Sequence, residues 1–240
     1  MTFYDELIFA TPKLAVKELV VGVFNTFVSS EKTGICSTLI SQINDNDLNR
    51  GLLDLSSISL NDLAKGVLSI NLIEATIGVA AINAAVQPDH NLLKEINAEQ
   101  IITEEAKGKT VGVIGHFPFI DRLKNNCKKL YVFEKQPIED DLTEDQIPNY
   151  LPEADVVAIT GSTITNHSFQ NVMASVRSDA FVIILGGSTP LSPVFFNYGV
   201  DVVSGVFVAD PALVQQQIKL GVHTRKLRGM KRVSLFKKDR

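Results

Sequence analysis

Apolar positions follow two regimes along this chain. From Thr110 onward they come as short, β-favouring runs, each closed by glycine, hydroxyl or charged residues: Thr110–Gly115, Lys129–Phe133, Val156–Thr160, Phe181–Leu185, Val202–Phe207 and Val233–Phe236. Helical segments are expected between them at Phe119–Asn126, Ser168–Val176, Pro193–Tyr198 and Asp210–Lys219. Short apolar strands separated by helices predict a mainly parallel sheet covered on both faces. The stretch Glu134–Asn149 is acidic and reads as loop.

The first third has a different grammar. Asp5–Ala10 reads as a short helix ending before Pro12, and Val16–Ser29 as strand. The turn cluster Ser29–Gly34 and the run Ile35–Leu39 complete a hairpin. Asn44–Gly51 is polar loop. Ser59 and Asp62 form a capping-box-like start to a short helix over Ser59–Gly66. Ser69–Ala85 is apolar at nearly every position after Leu72 and predicts a buried helix stopped by Pro88. Asn91–Gly108 is a polar, helix-tolerant connection. The expected organisation is therefore an α+β domain over 1–108 and an α/β domain over 109–240.

Open α/β sheets bind ligands outside the carboxyl ends of their strands. Those ends carry Gly115 and His116, then Glu134, then Thr160-Gly161-Ser162-Thr163, then Gly186-Gly187-Ser188-Thr189-Pro190. His116 is either an acid–base group or a helix cap. Glu134 follows Gly115 by 19 residues, where a ribose-binding acid often sits, or it simply opens the acidic loop. Thr160, Ser162 and Thr163, like Gly187, Ser188 and Thr189, are turn and cap chemistry taken singly; together on adjacent strand ends they point to ligand contact. Glu74 is a carboxylate on an almost wholly apolar helix, so it must pair, protonate or line a cavity. One reading is a partnered structural acid, the other an acid–base group facing the cleft between the domains. Asn83, nine residues on, falls on roughly the opposite face.

Several chemistries lack their signatures. Gly112 and Gly115 give G-x-x-G, not the dinucleotide fingerprint. With Gly115 as first glycine, the other two positions are Phe117 and Ile120, which argues against ordinary NAD binding. There is no P-loop, no G-x-S-x-G elbow, no C-x-x-C and no H-x-x-x-H. Histidines 90, 116, 167 and 223 and cysteines 36 and 127 are scattered, so no residue is assigned as a metal ligand, and a metal is expected only with a chelating ligand. Lys and Arg total 23 against 27 Asp and Glu, a net charge of −4, which argues against a nucleic-acid partner. The one basic cluster, Arg225–Arg240, reads as a last strand with solvated charged flanks. No apolar stretch reaches membrane-spanning length, the first residues lack a signal-peptide pattern, and two unpaired cysteines fit a cytoplasmic setting.

Four blocks carry a family resemblance: IEATIGVAAINA (73–84), GKTVGVIGHFPFI (108–120), ADVVAITGSTITN (154–166) and GGSTPLSPVFFNYGVDVVSGVFVAD (186–210). Through them the chain resembles, over nearly its whole length, a family labelled "putative heavy-metal chelation" proteins. The resemblance implies an N-terminal domain similar to the enolase N-terminal fold and a Rossmann-like C-terminal domain. It also implies a site shared between them, for condensation or hydrolysis around pterin-, flavin- or siderophore-like molecules. It carries over no catalytic residue. The expectation is a small polar ligand, or a metal chelate, held in an interdomain cleft, with no cofactor identified and a homo-oligomer admitted. Glu74 or His116 would act as acid–base group; Gly115, Glu134, Thr160, Ser162, Thr163, Gly187, Ser188 and Thr189 would hold the ligand. The rival is a non-catalytic binder or sensor of a chelate or nucleotide.

Overall fold

The computed structural model describes residues 1–40, 57–138 and 140–238. Its larger sheet has seven strands, numbered with the rest of the chain: β4 (Leu93–Lys94), β5 (Thr110–Ile114), β6 (Lys129–Phe133), β7 (Val156–Thr160), β8 (Phe181–Leu185), β9 (Val202–Val208) and β10 (Met230–Phe236). Their order is β4-β10-β9-β8-β7-β5-β6. The five from β9 to β6 are parallel, while β10 is antiparallel to both β9 and β4. The β-branched residues of β7 and β8 are buried on both faces, as strands sandwiched between layers must be. From β5 the chain passes to β6 on one side and returns to β7 on the other. The crevice outside β5 and β7 is therefore the topological switch point, where such sheets bind ligands.

The smaller sheet is antiparallel, in the order β1 (Glu18–Val21), β2 (Asn25–Ser29), β3 (Thr33–Ser37). The apolar run 16–29 is thus two strands rather than one. Gly22 N–H donates to the Asn25 carbonyl at the turn, and there is no room for a side chain at Gly22 against Ile218. Helix α3 (Leu72–Ala85) packs on this sheet, and α2 (Leu60–Ala64) and α1 (Phe3–Phe9) pack behind it. The capping box of Ser59 and Asp62 forms as expected, and Asn71 caps α3 by accepting from Ile73 and Glu74 N–H. Gly34 on β3 lies against the α3 backbone: an added Cβ would sit 2.2 Å from Ala84 N and 2.3 Å from Ala80 O. Asn83 binds the Ile35 carbonyl (2.7 Å), a structural role on the β3 edge. Residues 44–51, expected as polar loop, lie outside the described residues.

The remaining helices are α4 (Ala98–Glu105), α5 (Ile120–Lys124), α6 (Ile147–Tyr150), α7 (Ser162–Thr165), α8 (Phe169–Met173) and α9 (Pro211–Lys219). The polar connection before Lys109 supplies β4 and α4 to the seven-stranded sheet: β4 pairs with β10, and Ile102 of α4 is buried with Val111 and Val156. Pro193–Tyr198, expected as helix, is a 3-10 turn ended by Gly199 in the left-handed region (φ 88°). The two sheets are joined through α1. Phe3 packs at a tilt against Phe169 and Phe195, with ring centroids 4.6 and 5.1 Å apart, and Tyr198 Oη donates to Glu6 (2.7 Å). Burying one such ring contributes about 1.5–3 kcal/mol. No helix among the described residues is long and apolar enough to cross a membrane.

Candidate functional site

A cleft of about 1010 Å³ opens where the two sheets meet. One wall is β3, through Ile35 and Ser37. The floor is the strand-end sequence His116–Phe119, Thr160–Ser162 and Leu185–Ser188. The far wall is Ser204–Val206 of β9, the segment His223–Leu227 and the start of β10. The antiparallel course of β10 matters here. Because it begins where the parallel strands end, residues from the basic tail reach the cleft at their carboxyl ends.

Local backbone chemistry shapes the floor. Gly115 (φ 99°) and Gly186 (φ 127°) turn the chain at the ends of β5 and β8 in conformations that side chains rarely adopt. A Cβ at Gly115 would press on Thr160 at 3.2 Å, so the β5 and β7 ends meet closely at the switch point. Ser188 Oγ accepts from Ser37 N–H (2.9 Å), tying the β8 loop to the smaller sheet. Cys36, behind it, is fully buried, and burial pushes its thiol up to about 11.

His116 has a carboxylate partner that no local sequence pattern reveals. Its Nδ1 lies 2.9 Å from Oδ2 of Asp141, a side chain only 6% exposed that also accepts from Ile138 N–H. An ionised carboxylate can only accept, so this contact assigns the proton to Nδ1 and leaves Nε2 available. Asp141 belongs to the acidic stretch expected as surface loop. The bridge between Phe133 and Leu142 draws that stretch back along β6.

The expected site residues separate into two groups. His116, Thr160, Ser162, Gly187 and Ser188 share the cleft. The other five lie off its lining. Glu134 accepts from His116 N–H (2.9 Å) and Lys135 N–H (2.8 Å), so its carboxylate fixes the turn after β5. Gly115 shapes that turn from behind His116. Thr163 donates to the Thr160 carbonyl (2.7 Å), and Thr189 is buried against Gly161. Glu74, read as either a structural acid or a cleft-facing one, occupies the first turn of α3 and accepts from Ser69 Oγ (2.5 Å). Its setting is that of a partnered acid at a helix start, where the macrodipole favours negative charge.

A second depression, about 820 Å³, lies at the opposite edge of the sheet among Lys94, Asp155, Arg177 and Asp201. Its charges are largely spent internally: Arg177 pairs with Asp155 and Asp179, and Asp155 and Asp201 accept from the backbone of Thr110 and Val182. Among the described residues no group of three or more His, Cys, Asp or Glu side chains converges to hold a metal ion, so they supply no protein cage for one.

Two family models, both described as "Putative heavy-metal chelation", match residues 4–86 and 97–237. A crystal structure of a protein of unknown function from Desulfitobacterium hafniense superposes with TM-score 0.85 at 29% identity, covering 98% of this chain and 96% of that one. A second, from Pyrococcus horikoshii, gives TM-score 0.82 at 23% identity with 98% of both chains covered, a likeness of fold alone. An uncharacterised protein of Methanocaldococcus jannaschii is 29% identical over 151 residues, 59% of this chain and 58% of the relative. That match spans less than two thirds of the relative's length. With one model covering more than half of the chain and its family shared by both solved structures, the chain belongs to the family described as "Putative heavy-metal chelation".

Proposed function

We propose that this protein binds a small polar molecule of the pterin-, flavin- or siderophore-like class in the cleft between its two sheets and transforms it with His116 as acid–base group. The observation that carries the reading is the His116–Asp141 pair at the switch point. A buried carboxylate holds one imidazole nitrogen, so the ring keeps a fixed tautomer with its other nitrogen free for proton transfer. Ser162 and Ser188 supply hydroxyls, and the Gly186–Gly187 turn lets a ligand approach the backbone. Phe117 and Phe119, stacked at 5.2 Å and 12°, add a flat apolar face suited to a ring system. Metal enters this scheme as cargo carried on the chelating ligand, since no three metal-donor side chains converge among the described residues.

A binder without turnover is the second reading. It is favoured by the positions of Glu74 and Glu134, whose carboxylates serve the α3 start and the β5 turn and leave His116 as the acid–base group of the floor. Mass spectrometry of small molecules copurifying with the wild-type protein and His116→Asn separates the two. An enzyme retains different species in the two proteins, and wild type alone depletes a compound from a metabolite extract. Identical retained species without depletion establish the binder. If nothing copurifies and nothing is depleted, the enzyme reading fails.

A further inference from the structure

We infer that the cleft takes its ligand by a negatively charged oxygen group, a carboxylate or phosphate, received by Arg225 and Arg232. The inference rests on the cleft being the ligand site and adds the ligand's charge and the residues that read it. Both arginines belong to the basic tail that would otherwise pass as solvated flank, and both stand on the cleft wall. Arg225 follows His223, whose Nδ1 accepts its backbone N–H (3.3 Å), in the 3-10 turn Thr224–Lys226. Arg232 is on β10, paired in register with Val206 of β9, which lines the same wall.

At the floor the Asp141 and Glu134 carboxylates are engaged by His116, so the unpaired charge of the cleft lies on its far wall. Glu99 is the acid on the cleft's lining, and that carboxylate is engaged by the guanidinium of Arg122. Neither Arg225 nor Arg232 has an ion-pair partner among the described residues, although Lys231, between them in sequence, pairs with Glu95 on the outside. The protein as a whole is acidic, at −4. Two uncompensated guanidiniums on a concave wall therefore mark a local reversal of sign, which concentrates anions there. Guanidinium forks match the geometry of carboxylate and phosphate oxygens. The wall is also anchored: Thr224 Oγ1 donates to Asn25 Oδ1 (2.9 Å), which holds the Arg225 turn against the smaller sheet.

Isothermal titration with citrate and, separately, inorganic pyrophosphate at low salt tests this on the full chain. Saturable binding of at least one probe is expected, and the preferred probe tells carboxylate from phosphate. Arg225→Gln and Arg232→Gln should each weaken it at least tenfold, equivalent to about 1.4 kcal/mol. Arg228→Gln removes the same charge from the same tail but off the cleft lining, and should change affinity less than twofold. Absence of saturable binding by both probes overturns the inference, as does equal loss in Arg228→Gln. A neutral or cationic metabolite copurifying in the cleft would sink the anion proposal while leaving the cleft reading intact. Probe binding that obeys the arginine pattern, without any metabolite retained or depleted, would sink the cleft enzyme reading alone.

Discussion

Replacing Gly34 with alanine should uncouple the cleft wall from the helix behind it. The added methyl carbon would lie 2.2 Å from Ala84 N, 2.3 Å from Ala80 O and 2.6 Å from the Asn83 carbonyl carbon, all backbone atoms that no rotamer change can move aside. Ordinary carbon contacts begin near 3.5 Å, so α3 must retreat from β3 by about 1 Å. Overpacking of this kind costs about 1–3 kcal/mol. The retreat also stretches the Asn83–Ile35 hydrogen bond, now 2.7 Å, whose loss adds about 1 kcal/mol. The sum, roughly 2–4 kcal/mol, is a large share of a typical stability of about 5–15 kcal/mol. For a chain of this length it corresponds to a fall in Tm of roughly 5–15 °C. Gly108→Ala is the control. Gly108 has φ 68° but nothing within 4 Å of an added Cβ, so it reports left-handed strain alone, about 1 kcal/mol. Differential scanning calorimetry of both variants decides the matter. A Gly34→Ala melting point within 2 °C of wild type would refute the close-approach reasoning.

Three further outcomes are expected. In Asp141→Ala the His116 ring loses its Nδ1 acceptor, so side-chain nitrogen NMR should show mixed tautomers where wild type shows the Nδ1–H form; an unchanged tautomer would deny Asp141 its positioning role. Burial holds the Cys36 thiol near 11 and protonated, so iodoacetamide at pH 8 should label Cys127 in the native protein and reach Cys36 only after denaturation, as read by peptide mass mapping; native labelling of Cys36 first would contradict this. The Thr110 N–H donating to Asp155 (2.8 Å), with Arg177 beside it, holds that carboxyl below the usual carboxylate range. Its contribution is present above the unfolded value of about 3.9 and lost as pH falls through the lower folded one. Asp155→Asn should therefore melt less steeply with acid below about pH 4 than wild type, and parallel curves would remove Asp155 from the acid response.

The C-terminal strands were readable because buried parallel strands are continuous apolar runs, and β6, β7 and β8 fall at the expected residues. Helix capping at Ser59 was equally plain, being a short-range pattern. What escaped depends on distance. Asp141 meets His116 across 25 residues, and Arg225 and Arg232 reach the cleft because β10 reverses direction at the sheet edge. No periodicity encodes either event. The single strand expected over 16–29 failed because its apolar content continues through a turn, where Gly22 packs on a helix almost two hundred residues away. Glu74 was conspicuous as a charge among apolar residues, but its partner Ser69 precedes the helix, which starts at Leu72 and not at the expected Ser69.

The bond between Thr224 and Asn25 spans 199 residues, and the apolar cluster beneath it joins Phe27 and Ile35 to Val208, Val214 and Ile218. Synthesis runs from one end of the chain to the other, so the hairpin that carries Phe27 and Ile35 emerges long before the residues that cover it. Through that interval these side chains face water, and contacts of such separation are slow to close. Closing this wall of the cleft therefore requires residues nearly two hundred positions apart to meet. A bound ligand that bridges the two sheets would act on this same late step, stabilising the closed form by mass action and shortening the time during which the hairpin stands exposed.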